Sequence, residues 1–257
     1  MGRPQLSQRD EFVDPGHEDV SVVMIKVSVV LPTFNEAGNI GLLIEALLAK
    51  LPGPSEIIVV DDNSPDLTWQ VVETLRCSEP RIRLIRRIGR RGLTSALQEG
   101  IGTAEGEFVF WMDCDLSQPP ELISELLAAL KDNDIVVASR YVPGGEEKGH
   151  SPLGSLLSKM ICRFASLVLS SAIKDYTSGY VGARKEILKA IPLQGDYGEY
   201  CIGFLYRALR RGYRILEIPY TCRPRHSGES KTATHLSGYL KRGSKYILTI
   251  LKLRFQG

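Results

Sequence analysis

The sequence has no uninterrupted apolar run of about 18 residues, so no membrane-spanning helix is expected in it. It has no CxxC pair and no Cys/His pair at zinc spacing. Its five cysteines (Cys77, Cys114, Cys162, Cys201 and Cys222) are scattered and odd in number. That suits reduced thiols in a cytoplasmic protein better than a disulfide framework. The N-terminus lacks the basic-then-apolar pattern of a secretory leader. There is no phosphate-binding G-x-x-x-x-G-K-[ST] loop, no G-x-S-x-G elbow and no G-x-G-x-x-G fingerprint. An excess of one charge is also missing: 32 Lys and Arg stand against 30 Asp and Glu, a net charge of +2. No nucleic-acid partner is expected.

What is present is ordinary globular composition, 43% hydrophobic and 24% charged over 257 residues. Residues 1–24 are polar and aperiodic and read as a flexible arm. A repeating grammar follows. Strands are expected at KVSVVLP (26–32), EIIVVDD (56–62), RIRLIRR (81–87), EFVFWMD (107–113) and DIVVASR (134–140). Helices are expected at 38–51, after Pro65, at 92–101 and at 119–131. The strands are nearly continuous in apolar residues, as strands covered on both faces must be. An α/β sandwich with a mostly parallel central sheet flanked by helices follows. The second half is less regular. It carries a long amphipathic helix at 151–173, a loop, strand and short helix over 175–188, a helix at 199–212, a strand at 213–220 and a last helix at roughly 235–254.

In such a sheet, ligands bind beyond the carboxyl ends of the strands. Each polar cluster falls there: PTFNE after strand one, DDNSPD after strand two, DCDLSQ after strand four and SRYVPGG after strand five. Asp113 and Asp115 carry the chemistry of a hard divalent cation such as Mg2+ or Mn2+. Alternation along an extended backbone puts both on one side and Cys114 on the other. Ser117 and Gln118 could add oxygen ligands. The competing reading is an acidic helix N-terminus. Asp61 and Asp62 could receive a nucleobase or ribose; equally, the segment could be an Asx turn capping the next helix. Phe34 could stack on a base and Glu36 could meet a ribose, or both could belong to a polar capping loop. Arg140 could clamp a phosphate with its fork, or sit in a surface turn; Gly144-Gly145 suggests a mobile loop. Arg223, Arg225, His226 and Lys231 form a basic loop that could meet a diphosphate or an anionic lipid head.

Taken in order, VVLPTFNE, VVDDNSPD, GLTSALQEG, DCDLSQPPE, SRYVPGG, DYTSGY and RHSGESK resemble the family 2 glycosyltransferases of the GT-A fold. Within these the sequence is most similar to the dolichyl-phosphate mannosyltransferases and other polyprenyl-phosphate sugar transferases. The resemblance covers roughly residues 26–250. It implies inverting, metal-dependent transfer of a sugar, by preference mannose from GDP-mannose, onto a polyprenyl monophosphate. It places Pro32, Phe34, Glu36, Asp61, Asp62, Asp113, Cys114, Asp115, Arg225 and Lys231 around the nucleotide sugar. Asp113, Asp115 and Ser117 would hold Mg2+ or Mn2+. Asp115, Arg140, Arg225 and Lys231 would serve catalysis, and Arg140 with Ser178 the acceptor phosphate.

Two positions depart from the family pattern. The start of the helix after Gly144-Gly145 reads SPLGSLLSK and lacks the arginine that many relatives carry. Gly203 stands where relatives often have an acidic residue. Two alternatives stay open: transfer from UDP-glucose or another donor to a different acceptor in glycan assembly, and a non-catalytic nucleotide-sugar-binding subunit. Residues 25–234 are expected to form the transferase domain, and 235–257 a basic amphipathic helix for a membrane surface. The 151–173 helix could also touch lipid; both could instead pack on the core. The expected setting is cytoplasmic, peripheral on the cytoplasmic face of a membrane, with a small membrane-protein subunit as a candidate partner.

Overall fold

A computed structural model describes residues 26–149, 151–228 and 236–256. The expected arm at 1–24 and Lys231 lie outside the described residues, as do the side chains of Tyr239, Leu240, Lys241 and Arg242. In chain order the elements are β1 (Val27–Thr33), α1 (Ala37–Leu48), β2 (Ser55–Asp61), α2 (Thr68–Arg76), β3 (Ile82–Arg86), α3 (Leu93–Thr103), β4 (Phe108–Trp111), α4 (Ile123–Ala129) and β5 (Ile135–Ser139). There follow β6 (Glu146–Glu147), α5 (Pro152–Val168), β7 (Val181–Arg184), α6 (Lys185–Ala190), α7 (Glu199–Arg210), β8 (Ile215–Pro219), β9 (Thr221–Cys222) and α8 (Leu236–Gln256).

Seven strands make one sheet in the order β3-β2-β1-β4-β7-β5-β8. The pairs β3·β2, β2·β1, β1·β4 and β5·β8 are parallel. Strand β7 runs antiparallel to both of its neighbours, β4 and β5. One reversed strand turns the direction twice, so β5 and β8 point the same way as β1–β4. All the polar strand ends therefore meet at one edge.

The strands are apolar on both faces because both faces are covered. Val30, Ile58, Val60, Val109 and Trp111 face a core shared with Ala96 and Leu97 of α3, Cys162 of α5, Phe204 of α7 and Ile250 of α8. Val27, Val29, Leu31, Ile57, Val59 and Phe110 face a second core with Ile40 and Leu43 of α1, Val72 of α2 and Leu126 of α4. Helix α8 packs into this fold: Ile250 is fully buried and Tyr246 and Leu253 lie against the same cluster.

Several boundaries differ from expectation. The fourth strand ends at Trp111, so Asp113 and Asp115 stand in a turn and not on a pleat. A short 3-10 turn at Pro120–Leu122 precedes α4. The helix expected to reach 173 stops at Val168. The Gly144-Gly145 loop, expected to be mobile, is pinned. Gly145 donates to the Val142 carbonyl, and Glu146–Glu147 pairs with Thr221–Cys222 as a two-stranded ribbon.

Gly182 of β7 lies where a Cβ would meet the ring of Phe110 within contact distance. Phe110 is fully buried and cannot yield. Gly182→Ala is expected to destabilise the fold by about 1–3 kcal/mol through overpacking. A fall in the urea midpoint at unchanged slope checks this.

Candidate active site

The ends of β2, β1 and β4 lie side by side and carry Asp61 and Asp62, Phe34 and Glu36, and Asp113 and Asp115 in that order. Asp61 is fully buried. It accepts from the Thr33 hydroxyl at 2.9 Å, the Ser64 backbone N–H at 2.8 Å and the Ser64 hydroxyl at 2.6 Å. It therefore shapes the turn that ends β2. Helix capping falls to Asp66, which accepts from the Thr68 N–H at 3.0 Å and from Ala37 at 3.0 Å. Asp62 is likewise taken up by protein: Arg87 Nε donates to it at 2.6 Å and the Gly92 N–H at 2.8 Å. Of the two strand-two carboxylates, Asp62 lines the cavity described below and Asp61 does not. Glu36 accepts from Asn39 Nδ2 at 2.7 Å. Phe34 and Pro32 stay half-buried, and both line the cavity described below.

The DCDLSQ turn is tightly specified. Gln118 brackets Asp113: its Oε1 accepts from the Asp113 N–H at 2.9 Å and its Nε2 donates to Asp113 Oδ2 at 3.0 Å. Gln118 thus positions a carboxylate and is not itself turned outward as a ligand. Asp115 is buried; its Oδ1 accepts from the Ser117 N–H at 3.0 Å, and Arg225 Nη2 lies 3.0 Å from its Oδ2. Between them Leu116 sits at φ +61°, a left-handed conformation that a leucine adopts only when its surroundings impose it. Cys114 is buried against the second core with its thiol 3.5 Å from the Pro32 carbonyl, as alternation suggests, though a turn and not a pleat does it.

The two carboxylates fit a hard divalent cation. Asp113 is exposed, and Gly179 opposite it keeps the space open: a Cβ there would lie 2.9 Å from Asp113 Oδ2. Among the described residues no three His, Cys, Asp or Glu side chains gather as a metal shell. A cation here would take its remaining ligands from water or from substrate oxygens, as Mg2+ commonly does.

Arg140 lines the cavity, but its fork faces protein. Nε and Nη2 each donate to Asp175 at 2.8 Å, Nη2 also reaches Thr177 at 2.9 Å, and Nη1 reaches Glu147 at 2.9 Å. Burial opposes the arginine's charge, yet the adjacent Asp175 carboxylate outweighs it and holds the pKa well above the ordinary value. The Ser178 hydroxyl donates to the Ala138 carbonyl at 2.6 Å and is buried. Both residues tie the end of β5 to the 175–178 loop, and both line the cavity. In the basic loop, Arg223 pairs with Glu121 at 2.9 Å, away from Asp115.

These groups surround a cavity of about 1020 Å3. Its lining includes the ring of Phe34 and the charged side chains of Arg91, Asp113, Asp115 and Arg225. It also includes Leu157, Met160, Ile161 and Phe164 of α5 and Tyr246 and Ile247 of α8, two helices that pack together. Sequence reading missed Arg87, Arg91 and Asp175. The arginines sit in a run of four basic residues that looks like a solvated surface. Asp175 was visible in DYTSGY, but nothing local ties it to Arg140, 35 residues earlier.

A sheet of this order, with a carboxylate turn and a cavity at the edge where such sheets bind ligands, is an α/β fold of the GT-A type. The chain belongs to glycosyl transferase family 2, whose family model matches residues 28–191. It is 38% identical over 215 residues to the dolichol-phosphate mannosyltransferase of Pyrococcus furiosus, covering 80% of this chain and 59% of that protein. The chain thus spans less than two thirds of that relative's length. It is 35% identical over 211 residues to the polyprenol monophosphomannose synthase of Mycolicibacterium smegmatis, with 79% of each chain covered. Among solved structures it is similar to glucosyl-3-phosphoglycerate synthase from Mycobacterium tuberculosis in complex with Mn2+, UDP and glucosyl-3-phosphoglycerate. The TM-score is 0.69 at 20% identity, over 90% of this chain and 80% of that one. At that identity the likeness is one of fold.

Proposed function

We propose that this protein transfers mannose from GDP-mannose onto a polyprenyl monophosphate with inversion, using Mg2+ or Mn2+. The observation that carries this reading is the mixed lining of one cavity: carboxylates and arginines suited to a diphosphate, and apolar side chains of α5 and α8 suited to an isoprenoid tail. Relatives named as dolichol-phosphate and polyprenol mannosyltransferases support the choice of sugar and acceptor.

The chemistry asks little of the protein by way of proton transfer. A phosphate monoester has a second pKa near ~6 and is largely dianionic at neutral pH. Its oxygen attacks the anomeric carbon, the bond from that carbon to the diphosphate oxygen breaks, and the nucleoside diphosphate leaves with the electron pair. No general base is needed, so the glycine at 203 removes nothing the reaction requires. Asp113 and Asp115 would hold the cation, which when bound neutralises charge growing on the leaving diphosphate. Arg225, beside Asp115, adds a fixed positive charge at the same place. Lys231 of the same loop is assigned that task on the family resemblance. The protein's main work is to hold two anions within reach of one another.

The membrane side of the reading rests on α5 and α8. Neither helix contains an Asp or Glu. Exposed Leu156, Met160 and Leu167 on α5 and Leu248 and Phe255 on α8 stand among exposed Lys159, Arg163, Lys252 and Arg254. Such a face suits the anionic surface of a bilayer. No helix among the described residues is long and apolar enough to cross a membrane.

Purified protein incubated with Mn2+, radiolabelled GDP-mannose and dolichyl phosphate in detergent is expected to move label into the organic phase, and EDTA to stop it. Label transferred only to a sugar hydroxyl acceptor, or only from UDP-glucose, would replace this reading with the alternative transferase. Nucleotide binding without any transfer would make the protein a binding subunit.

A further inference from the structure

We propose that Arg91 is a donor-recognition residue: its guanidinium, laid on the Phe34 ring, is the platform on which the donor's nucleobase stacks, and buried Arg87 is the positioning residue that holds it there. This rests on the nucleotide-sugar reading above.

The Arg91 guanidinium carbon lies 3.4 Å from the centroid of the Phe34 ring. At that separation the guanidinium lies against the ring and no base can enter between them. Phe34 therefore cannot stack directly on a base as long as Arg91 stays in place. Arg91 is exposed and, like Phe34, lines the cavity. Among the described residues Arg91 has no carboxylate partner, whereas its neighbour Arg90 pairs with Glu99 at 3.0 Å. A planar cation stacked on one aromatic ring readily takes a second π-system on its other face.

Arg91 is not placed by chance. Gly92, next in the chain, has φ +147° and is held from two sides. Its N–H donates to Asp62 at 2.8 Å and its carbonyl accepts from Arg87 Nη2 at 2.9 Å. Arg87 is 1% exposed; it also donates from Nε to Asp62 at 2.6 Å and from Nη1 to the Ser95 hydroxyl at 2.9 Å. One guanidinium thus ties the end of β2, the loop and the start of α3 together. Asp62, expected from sequence to meet the donor, acts instead through Arg87 and Gly92 on the residue that does. Lysine cannot reproduce this, since a point ammonium lacks the fork that reaches three partners at once.

Steady-state kinetics with GDP-mannose, together with inhibition by GDP, GMP and pyrophosphate in the presence of Mn2+, tests both roles. Arg91→Ala is expected to raise KM for the donor about tenfold with kcat held within about twofold. It should weaken GMP and GDP alike and leave pyrophosphate inhibition unchanged. Arg91→Lys should behave like Arg91→Ala, because charge without a plane gives no platform. Arg87→Lys should show the same KM-against-kcat split, and the Arg87→Lys/Arg91→Ala double variant should be no worse than Arg91→Ala alone. The proposal is overturned if Arg91→Lys matches the wild type, if pyrophosphate inhibition falls with GMP inhibition, or if Arg91→Ala binds GMP more tightly. The first two would make Arg91 a point charge on the diphosphate, and the third a plug over Phe34. Additive effects in the double variant would remove the role of Arg87. If the wild type binds neither GDP nor UDP, it is the nucleotide-sugar reading that fails.

Discussion

Asp115→Ala is expected to lower kcat by a factor of about 10^3 or more while leaving the protein folded. Asp115 is buried, is one of two carboxylates at the strand-four turn, and carries Arg225 at 3.0 Å. On the proposed reading, removing it takes away a cation ligand, and it also leaves Arg225 without this carboxylate partner. Loss of a single electrostatic stabiliser of a leaving group is worth about 10^2–10^3 in rate, and loss of a metal ligand adds to that. The turn itself should survive, because Gln118 still brackets Asp113 and the Asp115 carbonyl still accepts from the His226 N–H at 3.0 Å. The measurement is label transfer at saturating donor and 10 mM-scale Mn2+, a concentration of the order that hard-cation sites with few protein ligands require, with circular dichroism as the control for folding. Turnover within about tenfold of the wild type would end the metal assignment.

Asp175→Ala should have the largest effect on stability, about 3–5 kcal/mol. Asp175 is fully buried and takes three donors from Arg140, its backbone N–H, Nε and Nη2; its own backbone N–H donates to Glu217 at 2.8 Å. The alanine leaves a buried guanidinium facing only Glu147 and Thr177. Glu147 still balances the charge, but Arg140 Nε and the Arg140 backbone N–H lose their acceptor while buried, and that unsatisfied burial is what destabilises. A domain of this size should lose roughly 2–4 °C of Tm per kcal/mol, so a fall of about 6–20 °C is expected by calorimetry. Asp175→Asn keeps the shape and one acceptor and should recover part of it. A shift below about 2 °C in Asp175→Ala would show that Arg140 finds water or another partner. Donor affinity should change less than acceptor use, because the clamp secures the end of β5 and the 175–178 loop and not the β1–β2 side.

Much of this was legible in the chain. The five strand–helix alternations, the parallel sense and the gathering of polar ends at one edge follow from period, apolar runs and turn residues. These are local signals that the folded protein has no reason to override. The acidic turn was legible too, because Asp113 and Asp115 sit where such folds bind ligands. What was not legible was which charged groups face substrate and which face protein. Asp61, Asp62, Arg140 and Ser178 have the chemistry of ligand contacts, and each bonds to protein partners. Arg87 and Arg91 look like surface cations, and one is buried while the other lies on an aromatic ring.

The physical reason is range. Backbone conformation and strand burial are decided within a few residues, by periodicity and side-chain shape. The sequence by itself thus determined an α/β chain, its ligand edge and the family it resembles. Partner choice for a buried charge is decided across the fold, because burying it unpaired costs several kcal/mol and the partner arrives from wherever the topology brings one. Arg140 meets Asp175 across 35 positions and Arg87 meets Asp62 across 25, and both pairings exist only once the sheet has formed. Tertiary structure alone decided that Arg87 and Arg140 find buried carboxylate partners, that the Gly144-Gly145 loop is pinned, and that side chains of α5 and α8 line the same cavity as the carboxylate turn.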